Sequence, residues 1–201
     1  RWISAEASVG SYLLFSGAES EKRASGRALS YGKGKRVVAG ATLPAAVLSA
    51  VLHTSAKEIE RLWRQTVVGH LAAGTLGYNG QLANLLTALF IACGQDVANV
   101  ANSALGITQF EAIGDDALYA SVTLPSLTVA SVGGGTALPT AQDCLGLLHC
   151  RGEGGARRLA EIAAAAALAG ELSMAGALAS GEFAAAHEAY GRNYPREEEQ
   201  T

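Results

Sequence analysis

The hydrophobic positions along the chain change period several times, and each change marks an element. Residues 12–15 form a short apolar run of strand character that ends at Ser16-Gly17. The stretch 17–35 is rich in Gly, Ser, Lys and Arg and predicts a loop with room for a short helix. The β-branched segment 36–43 (RVVAGATL) predicts a strand, and Pro44 behind it starts a short helix over 45–52. Ser55 with Glu58 three residues on is a capping box, and Ile59, Leu62 and Trp63 keep helical spacing after it. Glycines across 69–80 predict a turn or loop. Residues 81–101 (QLANLLTALFIACGQDVANVA) predict the longest helix, apolar around most of its circumference and so buried on nearly all sides.

Three strands are expected next, over 107–111, 118–124 and 127–132, with the run Gly133-Gly134-Gly135-Thr136 breaking the last. A short helix at 140–148, a long Ala-rich one at 155–179 and an amphipathic piece at 182–190 complete the chain. No internal repeat is present. The class is α+β with helices dominant.

Composition narrows the function classes. With 49% hydrophobic and 16% charged residues, the 201-residue chain is made to bury a core. A formal net charge of −3 offers no footprint for nucleic acid or an anionic membrane surface. Glu197-Glu198-Glu199 reads as a solvated tail. Arg157, Arg158, Glu161 and Glu171 interrupt the Ala-rich stretch, which favours a packed helix of a soluble protein over a membrane span. Cys93, Cys144 and Cys150 make neither a disulfide framework nor a zinc site, so no metal is expected and a reducing, cytoplasmic setting fits. The start, Arg1-Trp2-Ile3-Ser4, has no initiator Met and no signal peptide, and reads as an interior cut.

A few residues carry candidate chemistry. Asp96 sits among Ile91, Ala92, Val97 and Ala98, where a lone carboxylate must be paired, hydrogen-bonded or protonated. The plainer reading is a helix-end Asp that reaches solvent or caps a loop. Asn84 is a second polar group in the same apolar run, and a plain buried hydrogen bond accounts for it equally well. The Gly133–Thr136 run lacks the lysine of a phosphate loop and fits a tight turn or a close backbone approach. His187, next to Glu188, is either a surface histidine or a general acid carried on a C-terminal segment that closes. Lys22 and Arg23, read alone, are solvated loop charges.

Five collinear blocks change that balance: GYNGQLAN (77–84), FIACGQDVANVANSALGIT (90–108), LYASVTLPSLTVASVGGGT (118–136), LAGELSMAGALASGEF (168–183) and AHEAYGRN (186–193). Together they resemble the C-terminal half of class I 3-hydroxy-3-methylglutaryl-CoA (HMG-CoA) reductases, nearer the bacterial than the animal branch. The resemblance implies two successive hydride transfers from NADPH to HMG-CoA, giving mevalonate and CoA by way of mevaldehyde. It places the catalytic Lys at Lys22 in SEKRAS, the catalytic Asp at Asp96 and the catalytic His at His187. It puts Ser16, Glu21, Arg23 and Asn84 on the HMG portion or the lysine loop, Val51, Leu52 and His53 at CoA, and Gly133 and Gly134 near the nicotinamide cofactor. It also implies a homodimer formed through the 81–101 helix.

By the same resemblance, 1–16 is the tail end of a small NADP-binding domain and 17–180 belongs to the large HMG-CoA-binding domain. Residues 181–201 are then a C-terminal flap. Glu21 and Arg23 replace the usual Asp and Lys of the triplet, and Gln81 stands where many relatives have His. The ENVIG-like segment with the family's catalytic Glu and the DAMGMN-like cofactor motif do not occur among these residues. These residues alone are therefore expected to have little or no activity. The alternative is a non-catalytic paralogue that binds acyl-CoA or pairs with a full-length subunit.

Overall fold

The computed structural model describes Glu6, Lys22 and residues 24–190. Its elements are α1 (Arg27–Ser30), β1 (Lys35–Leu43), α2 (Ala45–Leu52), α3 (Ala56–Ala73), α4 (Leu82–Ala92), α5 (Val100–Ser103), β2 (Ile107–Ile113), β3 (Ala117–Leu127), α6 (Pro139–Leu147), α7 (Gly155–Ser180) and α8 (Glu182–Tyr190). Short 3-10 turns at Val97–Asn99 and Gly134–Ala137 link them. The described fold is α+β, as expected.

The three strands form one antiparallel sheet in the order β1–β3–β2. On β3, Leu118, Ala120, Val122 and Leu124 are fully buried and share a core with Leu159, Ala163, Ala164 and Ala167 of α7. Small side chains along α7 let it lie close on the sheet and touch α3 and α4 as well. Among the described helices, α7 alone has the length and hydropathy of a membrane span, and here it is the central helix of a packed core. Helix α3 begins where Ser55 Oγ accepts from Glu58 N at 3.3 Å. The Glu58 carboxylate turns instead to Arg61, at 2.7 Å, so only one arm of the capping box is used.

Four expectations need correction. The predicted helix over 81–101 is not continuous: α4 stops at Ala92, and Gly94 adopts φ +63, a left-handed conformation that ends a helix at little cost in glycine. Nor is it buried all round. Leu82, Leu86 and Phe90 form one buried stripe, while Ile91 is 67% exposed, and α7 is the longer, central helix. Residues 69–73 are helical, because Gly74 at φ +68, and not Gly69, takes the left-handed turn that closes α3. Finally, 128–132 is not strand. The ladder to β1 ends at the pair Lys35–Leu127, and the backbone of Ala130 is satisfied by the Gln95 side chain instead. The expected strand at 12–15 lies outside the described residues.

Candidate active site

The turn that ends α4 builds the site. Gln95 N donates to Phe90 O at 2.8 Å across Gly94, closing the helix end. Gly94 lies directly on the backbone of Gly135, an approach that any side chain would block. The Gln95 side chain straps the turn down: Nε2 donates to Cys93 O at 2.8 Å and to Ala130 O at 2.9 Å, and Oε1 accepts from Ala130 N at 2.7 Å. Next in the chain, Asp96 leaves the helix altogether. It caps the 3-10 turn, with Oδ1 accepting from Ala98 N at 3.0 Å.

The other Asp96 oxygen, Oδ2, lies 2.5 Å from Lys22 Nζ. Both side chains are about half exposed, 50% for Lys22 and 47% for Asp96. The expected burial of Asp96 is therefore corrected: the carboxylate is on the surface, and both the capping and the pairing readings hold. The Lys22 hydrogen bond, and after it the Ala98 amide, hold the Asp96 carboxyl below the ordinary carboxylate range. The ammonium is half exposed and so accessible to a ligand.

Gly133 (φ +93) and Gly134 (φ +57) follow on the loop that Gln95 and Gly94 anchor, with no neighbour within 4 Å of where a Cβ would stand. The backbone there is open and free of side chains. The structure thus brings Lys22, Asp96 and this loop to one junction.

Asn84 is exposed in the first turn of α4, roughly 12 Å along the helix from its end by the 1.5 Å rise per residue. The buried hydrogen bond that could have explained it is not there. Val51 is 67% exposed and Leu52 packs on Gly176, while His53 closes α2 at φ +50. His187 is exposed on α8, its Nδ1 2.9 Å from Phe183 O and its ring 4.3 Å from the Phe183 ring. Ser16, Glu21 and Arg23 lie outside the described residues.

Two residues that matter here escaped the reading of single positions. Gln95 stands in the GQD string but announces no chemistry of its own. Glu171, which looks like an interruption of an apolar helix, is only 2% exposed. Its Oε1 accepts from Gln81 N at 2.6 Å and Gly80 N at 3.1 Å, and its Oε2 from Gly80 N at 2.9 Å. It caps α4, whose other end carries the Asp96 turn. Burial raises the Glu171 carboxyl above its ordinary value, partly offset by those amides. Glu171 also lines an open, largely apolar pocket of about 430 Å³, together with Trp63, His70 and Met174.

An exposed, carboxylate-paired lysine at a turn packed on an open glycine loop defines an α+β class with an accessible cation beside bare backbone. The comparisons narrow this class. The hydroxymethylglutaryl-coenzyme A reductase family model matches residues 2–192. The 3-hydroxy-3-methylglutaryl-coenzyme A reductase of Methanocaldococcus jannaschii is 42% identical over 173 residues, 86% of this chain and 42% of that protein. That of Aeropyrum pernix is 47% identical over 167 residues, 80% of this chain and 39% of that protein. Reductase 1 of rice is 42% identical over 174 residues, 81% of this chain and 32% of its own length. The chain belongs to the hydroxymethylglutaryl-coenzyme A reductase family. It spans about two fifths of the length of the archaeal relatives it matches.

Proposed function

We propose that the complete protein reduces HMG-CoA to mevalonate and CoA with NADPH, and that these residues supply its lysine, aspartate and histidine. The carrying observation is the 2.5 Å contact between Lys22 Nζ and Asp96 Oδ2. NADPH supplies the hydride. Lys22 presents its ammonium to the thioester oxygen and stabilises the negative charge that develops there. Asp96, kept ionised by its two hydrogen bonds, orients Lys22. His187 on α8 donates a proton to the departing CoA thiolate, which removes a nucleophile that would otherwise attack the aldehyde again. Gly133 and Gly134 leave the backbone bare for the nicotinamide, and Val51, Leu52 and His53 contact CoA.

In this reading 17–180 belongs to the large substrate-binding domain, 181–201 is a flap, and 1–16 ends the small cofactor domain. Two copies associate through the region of α4, whose exposed Ile91 and the nearby Val97 are 67% and 49% accessible. A cytoplasmic setting agrees with three unpaired cysteines. The intact Lys22–Asp96 pair favours a working enzyme over a paralogue that has lost its chemistry.

The test is HMG-CoA-dependent NADPH oxidation by the complete protein and its Asp96→Asn variant. Turnover should disappear with the circular dichroism spectrum and melting temperature preserved. Near-wild-type turnover in Asp96→Asn would sink the assigned pair.

A further inference from the structure

Helix α8, which carries His187, follows α7 across a glycine joint. Gly181 (φ +79) ends α7 in open space, and the described side chains of α8 are exposed. A nine-residue helix whose described side chains, at 182–189, are all exposed gains little from packing and is marginal in water. Among the described residues, one polar tie crosses from its base to a distant part of the chain: Glu182 Oε1 lies 3.0 Å from His53 Nδ1. Facing a carboxylate, Nδ1 must be the donor, whether or not the ring carries its second proton.

His53 is itself in an unusual place. It closes α2 in the left-handed conformation at φ +50, a strained position for a residue with a Cβ. That conformation projects its ring from the end of α2 toward the start of α8. His187, five positions after Glu182, is then fixed within the helix by the Phe183 carbonyl and ring. The chain of contacts runs from α2 through His53 and Glu182 to the backbone of α8 and so to the His187 imidazole.

We propose that Glu182 is a positioning residue for His187, clasping the base of α8 to the end of α2 through His53; this rests on the reductase reading above. Both partners are more than half exposed, 59% and 58%, so the clasp is weak enough to open. It biases where the proton donor stands without locking it.

The complete protein is compared with its Glu182→Gln, His53→Gln and doubly substituted forms. Amide hydrogen exchange over 182–190 should quicken roughly two- to fivefold in each single variant, the range expected for an exposed ion pair. The double variant should exchange no faster than either single one, because one interaction is removed only once. In Glu182→Gln, kcat with HMG-CoA should fall by a similar factor, with KM little changed and reduction of supplied mevaldehyde retained. Unchanged exchange in Glu182→Gln, additive effects in the double variant, or equal slowing on both substrates would overturn the clasp. Wild-type protein that fails to oxidise NADPH with HMG-CoA would overturn the reductase reading, while the exchange cycle would still decide the clasp.

Discussion

Glu171 should matter to the stability of the fold through its geometry more than through its charge. Its Oε1 takes amide protons from both Gly80 and Gln81, and its Oε2 shares the Gly80 proton. Glu171→Ala removes the acceptors of the Gly80 and Gln81 amides. A hydrogen bond to an ionised group contributes about 1.5–3 kcal/mol, and a lost helix cap about 1 kcal/mol. Water entering from the neighbouring pocket recovers part of that, so a loss of roughly 2–4 kcal/mol is expected. At roughly 2–4 °C per kcal/mol for a domain of this size, the melting temperature should drop by about 5–15 °C. Glu171→Gln keeps one oxygen where Oε1 stands and should stay within about 1 kcal/mol of the parent. The pH dependence has a definite sign. The folded carboxyl is raised above its ordinary 4.5, so its contribution is fully present below pH 4.5 and is lost as pH rises through the folded value. The melting temperature of Glu171→Gln should therefore gain on that of the parent as pH rises from 4 to 7. Thermal melts across that range check all three points. If Gln and Ala were equally damaging, the acceptor geometry would be the wrong explanation. A fall of the Gln variant relative to the parent with rising pH would refute the raised carboxyl.

Two further substitutions probe the chemistry and the turn. His187→Ala should slow HMG-CoA reduction by about 10²-fold, the usual weight of a general acid, and slow reduction of supplied mevaldehyde far less. Steady-state rates on the two substrates decide it, and equal losses would exclude thiolate protonation. Gly94→Ala should cost at least about 2 kcal/mol, from the left-handed φ and the clash with Gly135, and should abolish turnover by displacing Asp96. A thermal melt and a turnover assay check it; parent-like values for both would show that the turn does not hold the site.

Elements with local signals were legible from the residues. The Ser55–Glu58 start of α3, Pro44 before α2, the β-branched run of β1 and the 182–190 helix all stand where local chemistry places them. The break after Ala92 was not, because an apolar run hides a helix end until Gly94 takes a positive φ to meet Gly135. The end of β3 was missed for a similar reason, since the Ala130 backbone finds its partner in a side chain, Gln95, from another loop. Glu171 meets its amides about ninety residues away in sequence, so nothing near it reveals the cap. Lys22 alone reads as a solvated loop charge; only the likeness to a family pointed to its partner, and the 2.5 Å contact supports that reading.

The exposure of the Lys22–Asp96 pair bears on how such a site can work. Burying both charges would cost several kcal/mol per ion, and leave the ammonium shielded from any ligand. On the surface the cost is small, but water also screens the pair and weakens the field at the substrate oxygen. The pair therefore needs two things that its own contacts do not provide. One is fixed geometry, which the Gln95 strap and the Gly94–Gly135 contact supply from the 130–135 loop, and the Glu171 cap on α4 supplies from α7. The other is exclusion of water once ligand is bound, which a weakly held cover can provide by closing over the site. In the proposed reading helix α8, held by the exposed His53–Glu182 contact and an open glycine joint, is that cover, and it carries His187, the proposed proton donor.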